Sequence, residues 1–144
     1  MLKRLSKYTR FVQARTAVLI VLMSFAWPTA NADDGSDRAV LADQLGTVFH
    51  RSMSHWKFDY TKMPDRKAGV ACIPWKRLDT AFLDSAVFEA IGFSYSMYDD
   101  EGAINVATQG CNQMKGNFKL SDCECEVVLL GETVAVTVPK EASK

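Results

Sequence analysis

The chain has 144 residues and equal numbers of basic and acidic side chains, 17 of each, so its formal net charge at pH 7 is zero. That balance hides an asymmetry, because the first 15 residues hold five basic side chains and no acid. Residues 33–144 alone carry 12 Lys and Arg against 17 Asp and Glu, a charge of −5. Such an acidic domain is a poor match for nucleic acid, whose phosphates are bound by Lys and Arg, and for anionic membrane surfaces.

Residues 1–32 are predicted to be a secretory signal peptide. The five basic residues precede a twelve-residue apolar run at 16–27, which is short of the roughly 20 residues that span a bilayer. Pro28 ends the run, and the Ala-Asn-Ala sequence at 30–32 has small residues at the two positions that signal peptidase reads. We expect cleavage after Ala32, a periplasmic or secreted product and no stable membrane insertion afterwards. An uncleaved anchor is the alternative.

All four cysteines, Cys72, Cys111, Cys123 and Cys125, follow the predicted cleavage site. An even number of cysteines in an oxidising compartment favours two disulfides, for which three pairings exist. The Cys-x-Cys spacing is tighter than a usual zinc knuckle, and neither a second pair nor a nearby His completes four ligands. We therefore expect disulfides, and no metal site or cofactor.

An amphipathic helix is predicted at 38–53, where apolar residues recur at helical spacing. At its end, His50, Met53 and His55 offer imidazole and thioether groups, which suit copper. His55 lies five positions after His50 and so drifts off the shared helix face. Surface histidines at a helix end are the preferred interpretation, and copper handling is an alternative.

The next stretch alternates aromatic with charged residues, since Trp56, Phe58 and Tyr60 are separated by Lys57 and Asp59. Alternation of this kind predicts a short strand or an extended arm. The preferred interpretation is that these aromatics pack over the core of a small domain. The alternative is that, together with Trp75, they form a candidate binding surface for a protein or a glycan.

Two further segments lead to the C-terminal half. Residues 69–75 are apolar and extended, with Ile73 kept out of helical geometry by Pro74, and Cys72 is expected to pin them to the main sheet. Residues 76–86 are predicted to be a loop or a short helix.

Residues 89–138 are predicted to be a β-α-β-β unit. Alternation over 89–97 indicates a strand with one large apolar face and one face of small residues, Ala90, Gly92, Ser94 and Ser96. The acids that follow Tyr98 suit a helix start. The helix should run to about Lys115, and its buried stripe is predicted to be Ala103, Ala107, Gly110, Cys111 and Met114. The remaining elements are a two-residue turn at 131–132, a strand at 134–138 and, before them, a strand at 123–129 with one face formed by Cys123, Cys125, Val127 and Leu129. The fold class is α+β: a small, disulfide cross-linked β-α-β-β unit with an additional N-terminal helix, all within one domain at 33–144.

The positions of the cysteines favour one pairing. Cys111 lies on the helix face that should be turned to the sheet, so that a bond to the Cys-x-Cys strand is natural. We prefer Cys111 with Cys125 and Cys72 with Cys123, and the swapped pairing stays open.

Part of this unit has a recognisable pattern. An Ala-Ile-Gly-Phe-Ser strand at 90–94, a helix with Ala103, Ala107 and Cys111, and a Cys-Glu-Val-Val strand at 125–128 follow one another. In this order, residues 89–138 resemble small exported bacterial domains of uncharacterised function, the DUF4189-like class. The resemblance implies a fold and an exported location, and it implies no activity.

The sequence favours a binding role over catalysis. It contains no Gly-x-Ser-x-Gly elbow and no phosphate-binding Gly loop, and bonded cysteines cannot act as nucleophiles. We expect a non-enzymatic binding or accessory factor of the bacterial envelope or secreted fraction, including virulence-associated ones, with a protein or glycan of the envelope or host as partner. The alternatives are an inhibitor of an envelope or host hydrolase, whose basic surface an acidic domain would complement, and periplasmic copper or thiol handling.

Overall fold

The centre of the fold is a six-residue run, Ala68–Ile73, in which every side chain is buried. The computed structural model describes residues 34–142, and in it this run is strand β1. It pairs with β2 (Ile91–Ser94) on one side and β3 (Glu124–Leu130) on the other, and β4 (Thr133–Val134) lies beyond β3. All three pairings are antiparallel. The predicted signal peptide at 1–32 lies outside the described residues.

The helices are α1 (Asp34–His55), α2 (Thr80–Ser85) and α3 (Asp100–Asn117), and three short 3-10 segments complete the described elements. The predicted α+β class with an N-terminal helix is therefore confirmed. Between residues 34 and 142 there is no helix that combines the length and apolarity needed to cross a membrane.

The two long helices cover opposite faces of the sheet. Ala71 and Ile73 of β1 share one core cluster with the buried α1 residues Leu45, Val48, Phe49 and Met53. The alternate β1 residues share a second cluster with α3, formed by Ala68, Val70, Cys72, Ala103, Ala107 and Cys111. Because successive side chains of a strand point to opposite faces, β1 contributes to both cores and is buried along its whole length.

Small residues let α3 lie almost in backbone contact with β2. The buried side of α3 consists of Ala103, Ala107 and Cys111, which are three of the five residues predicted for it, while Gly110 and Met114 are half-buried. A Cβ built on Gly110 would lie 3.4 Å from the Cα of Gly92, which shows how closely helix and strand approach. At the start of the helix, the Asp99 carboxylate accepts a hydrogen bond from the Gly102 N–H at 2.7 Å and caps the first turn.

Two disulfides cross-link the α3 face of the sheet. Cys72 is bonded to Cys123, and Cys111 is bonded to Cys125, which is the pairing preferred from the sequence. Cys72 and Cys125 are direct cross-strand neighbours, yet each is bonded to another cysteine. One bond therefore ties β1 to the residue preceding β3, and the other ties α3 to β3.

The predicted order of elements in 89–138 is observed, but the centre of the sheet comes from outside that range. Strand β1 lies between β2 and β3, so these two strands are not neighbours. The segment at 69–75, expected as an extended piece pinned to the sheet, supplies this central strand. A run buried on both faces has no polar alternation, and for that reason the sequence pattern alone did not indicate its central place.

Two strand details differ from the prediction. A register shift between Gly69 and Val70 leaves Val128 of β3 without a partner, so that Leu129 joins the α1 core while Val127 packs on the α3 side. The expected common face of Cys123, Cys125, Val127 and Leu129 is thus broken by a β-bulge. Strand β2 also ends at Ser94, because Ser96 adopts a positive φ of 55°, and β4 is only two residues long.

The predicted strand over Trp56–Tyr60 is wrong. Helix α1 continues to His55, and Lys57 then adopts a left-handed φ of 68°. The Phe58 N–H donates to the Met53 carbonyl at 2.9 Å, the bond that closes a helix in a Schellman motif. Tyr60 next begins a 3-10 turn. The alternation of aromatic and charged residues therefore reflects a helix cap followed by a turn.

A buried lysine fixes that turn to the sheet. The Lys67 side chain is about 1% exposed. Its Nζ donates to the carbonyls of Tyr60 at 3.1 Å and Met63 at 3.0 Å, and it forms an ion pair with Glu132 in the β3–β4 turn. The ammonium also lies 4.9 Å from the centroid of the Tyr60 ring. With these partners the buried charge is compensated.

The Tyr60 hydroxyl, in contrast, is buried without a hydrogen-bond partner among the described residues. Burial, and then the negative charge of Glu132, raise the pKa of Tyr60 above its usual value of 10.0. The folded state therefore favours the neutral phenol. Its contribution to stability is complete below the pKa of the unfolded chain and is lost as the pH rises from there through the folded pKa.

We expect Tyr60→Phe to raise the free energy of unfolding by about 1 kcal/mol at pH 7, because it removes an unsatisfied buried hydroxyl and keeps the ring. The gain should widen above pH 10, where the unfolded wild-type tyrosine ionises and the phenylalanine does not. Urea denaturation of both proteins at pH 7 and pH 10.5 measures this difference. A loss of stability at pH 7 would mean that the hydroxyl has a hydrogen-bond partner.

Candidate binding groove

A groove of about 400 Å³ lies where the C-terminal ends of α1 and α3 meet the segment that leads into β2. We refer to it as the aromatic groove. Five of its seven lining residues are apolar, and the full set is His55, Trp56, Val87, Phe88, Glu89, Phe118 and Leu120. Its volume is within the range of small-ligand and side-chain pockets.

Helix α3 ends as α1 does. Phe118 is its C-cap residue, Lys119 follows with a left-handed φ of 55°, and the Leu120 N–H donates to the Lys115 carbonyl at 3.0 Å. Both helices thus close with an aromatic residue, a lysine of positive φ and an apolar residue. This shared cap places Trp56 and Phe118 at corresponding positions, directly after the last helical turn.

The two rings meet across the groove. Their centroids lie 6.5 Å apart, and their planes differ by 23°. Trp56 remains 39% exposed and Phe118 51% exposed. Aromatic side chains that stay accessible beside other apolar residues are typical of interaction surfaces.

Helix α1 holds the floor of the groove in place. The Arg51 guanidinium donates to the carbonyls of Ala86 at 2.8 Å and Leu83 at 3.1 Å, at the end of α2. The buried Ser52 hydroxyl accepts from the Phe88 N–H at 2.8 Å and donates to the Val48 carbonyl at 2.7 Å. The segment that carries Phe88 is therefore fixed by hydrogen bonds before any ligand arrives, which lowers the entropic cost of binding.

Glu89 supplies the one carboxylate of the lining. Its side chain is exposed and has no hydrogen-bond or ion-pair partner among residues 34–142. Lys57 and Lys119 follow the two rings in sequence but do not line the groove. Residues 34–142 as a whole carry 11 Lys and Arg against 16 Asp and Glu, so the described surface is acidic.

The structure separates the four residues that the sequence indicated as a binding surface. Trp56 lines the groove. Phe58 packs against Phe93, with ring centroids 4.8 Å apart. Tyr60 lies in the core, and the Trp75 indole N–H donates to Glu126. Trp56 is therefore the one member of this set that lines the aromatic groove.

Sequence reasoning missed five lining residues: Val87, Phe88, Glu89, Phe118 and Leu120. One signal was present in the sequence. The order aromatic, lysine, apolar occurs both in Trp-Lys-Phe after α1 and in Phe-Lys-Leu at 118–120 after α3. That two such caps lie side by side depends on how both helices pack on the sheet, and the local pattern does not contain this information.

The histidines and cysteines do not gather into a metal centre in the described part of the chain. No group of three or more His, Cys, Asp or Glu side chains is placed there to hold an ion. Met53 belongs to the core, and the His50 ring packs edge-on against Tyr60 at 5.8 Å. All four cysteines are engaged in the two disulfides and are therefore not free to bind a metal.

Comparison of the chain with protein-family models, curated proteins and solved structures gives no match. The resemblance of residues 89–138 to the DUF4189-like class stays a prediction.

Proposed function

We propose that this chain is a small exported, non-enzymatic binding or accessory protein that holds a partner protein of the envelope or host in its aromatic groove. The observation that carries the proposal is the pair of exposed rings, Trp56 and Phe118, displayed by matching helix caps over a fixed floor. The two disulfides are compatible with an extracytoplasmic location, where such bonds persist. The predicted signal peptide supports the same compartment.

A protein segment suits the groove better than a flat or extended ligand does. The lining is mainly apolar, since Val87, Phe88 and Leu120 contribute to it together with the two rings. A volume of about 400 Å³ accommodates one or two side chains. Aromatic anchors in a preformed pocket supply most of the binding energy in many protein interfaces.

The test is selection from a displayed peptide library on the 33–144 protein carrying Trp75→Phe. In this background Trp56 is the only tryptophan, since the remaining one is Trp27 of the predicted signal peptide. We expect selected peptides with an apolar anchor to change the Trp56 fluorescence and to bind in the micromolar range. Phe118→Ala should weaken binding at least about tenfold, which corresponds to about 1.4 kcal/mol.

Tyr98→Ala is the matched control, because Tyr98 is an exposed aromatic residue, 87% accessible, that does not line the groove. It should leave peptide affinity unchanged. A library that yields no Phe118-dependent peptide, or equal losses in the Tyr98 and Phe118 variants, would contradict the proposal. Trp56-dependent binding of oligosaccharides in place of peptides would also contradict it and would indicate a glycan-binding protein.

A further inference from the structure

We infer that the aromatic groove selects a basic side chain, Lys or Arg, presented by the partner beside an apolar residue. The inference rests on the proposed function and adds the chemistry of the partner. It is carried by the presence, at one groove, of two partly exposed aromatic side chains, one unpartnered carboxylate and the C-terminal ends of two helices.

The rings supply the first attraction. The face of an aromatic ring carries partial negative charge, and a cation within about 6 Å of its centroid is attracted to it, most strongly by Trp. Trp56 and Phe118 both keep accessible surface, 39% and 51%. Their separation of 6.5 Å means that one ammonium or guanidinium group can lie within range of both.

Glu89 supplies the second attraction. It is the only residue with a carboxylate side chain that lines the groove, and no basic side chain in the described part of the chain pairs with it. Elsewhere, acids such as Glu132, Glu124 and Asp122 are engaged by Lys or Arg. An unpaired carboxylate beside two rings is the complement of a basic side chain that enters from a partner.

The helix ends act in the same direction. The last residues of α1 and α3, His55 and Asn117, immediately precede the two rings. A helix C-terminus carries about half an elementary negative charge, which favours nearby cations. Two such ends at one groove add to the potential of Glu89.

Lys57 and Lys119 make the opposite contribution and define the competing hypothesis. They follow the rings directly and are exposed, so they would attract an anionic ligand. Neither lines the groove, however, whereas Glu89 does. The only basic side chain of the lining is His55, whose ring packs edge-on against Trp56 at 5.5 Å. The carboxylate of Glu89 therefore favours a cation inside the groove, with the two lysines outside it.

The shape of the lining suits the long stem of such a side chain. Lys and Arg bury their methylene groups on apolar surface while the charged head remains at a polar group. Val87 and Leu120 offer apolar surface to the stem, and Glu89 offers an oxygen to the head. A Leu or Phe beside the basic residue would add contact with the exposed ring surfaces.

The experiment compares four heptapeptides that differ only at a central position flanked by Leu: Lys, Arg, norleucine or Glu. Binding to the 33–144 protein carrying Trp75→Phe is followed by Trp56 fluorescence and by amide chemical shifts in 20 mM and 300 mM salt. We expect the Lys and Arg peptides to bind about five- to tenfold more tightly than the norleucine peptide at low salt. The advantage should shrink at high salt, where charges are screened.

Glu89→Gln should remove the advantage of Lys over norleucine while leaving the norleucine peptide unaffected. Glu141→Gln is the matched control, since Glu141 is exposed and does not line the groove, and it should change nothing beyond a small uniform effect. Lys57→Ala with Lys119→Ala should strengthen or preserve binding of the Lys peptide. Amide spectra of each variant establish that it is folded.

Three results would overturn the inference. Equal binding of the Lys and norleucine peptides, still weakened by Phe118→Ala, would remove the charge preference and leave the proposed function intact. Tightest binding of the Glu peptide, lost in the double lysine variant, would assign the site to an anion. Failure of all four peptides would also reject this preference, while the proposed function is judged separately by the library selection.

Discussion

Gly92→Ala is expected to abolish folding or to lower the free energy of unfolding by more than about 4 kcal/mol, at the extreme end of single substitutions. A Cβ at this position would lie 1.9 Å from the Ala107 carbonyl oxygen and 2.4 Å from the Cys111 nitrogen. Both are backbone atoms of α3, so no side-chain rotation can relieve the clash. Moving the helix away would also pull on the bond between Cys111 and Cys125.

The measurement is urea denaturation followed by circular dichroism, together with the yield of oxidised protein. Gly116→Ala is the matched control. It lies near the end of α3, and a Cβ there would meet nothing within 4 Å. This control should be neutral or stabilising by up to about 1 kcal/mol, as Ala is the better helix former. If Gly92→Ala kept wild-type stability, the close approach of β2 and α3 would be wrong.

The sequence allowed half of this contact to be predicted. The small and apolar residues of α3 recur at helical spacing, so the sequence pattern predicts a buried helix face that contains Ala103, Ala107 and Cys111. The small face of β2 was equally visible in its alternation. Which glycine meets which turn of the helix depends on the register between the two elements, and that register is set by the whole core.

The central strand and the groove illustrate two different reasons why a local sequence pattern fails to predict structure. Residues 68–73 are buried on both faces, so they lack the alternation that marks a strand at the edge of a core. At Trp56 the alternation was present but misleading, because a left-handed Lys57 closes a helix there. The groove joins Trp56 to Phe118, 62 positions apart in the chain, through two caps whose proximity only the packed sheet determines.

Removal of either disulfide is expected to lower the free energy of unfolding by the second-largest amount, and the two bonds should contribute different amounts. The bond between Cys72 and Cys123 closes a sequence separation of 51, and that between Cys111 and Cys125 closes 14. In the chain-entropy model the longer loop contributes about 4 kcal/mol and the shorter about 3 kcal/mol. Double Cys→Ala variants should therefore lose stability in that order.

The loss of peptide affinity should rank the two double Cys→Ala variants in the opposite order, with the Cys111–Cys125 variant affected more than the Cys72–Cys123 variant. The Cys111–Cys125 bond anchors the C-terminal half of α3, whose C-cap is Phe118, to β3. The Cys72–Cys123 bond instead ties β1 to the residue before β3 and does not involve either helix. Loss of the shorter bond should therefore disturb Phe118 and weaken peptide binding several-fold, although it costs less stability.

This inverse ranking distinguishes a positioning role from general destabilisation. Both double variants, made in the Trp75→Phe background, are measured by urea denaturation and by Trp56 fluorescence titration with one peptide, under conditions in which each is folded. If binding fell in proportion to stability, with the Cys72–Cys123 variant affected most, α3 would not need its own cross-link to present Phe118. If the Cys111–Cys125 variant alone lost affinity, the short bond would be the element that holds one wall of the aromatic groove against the sheet.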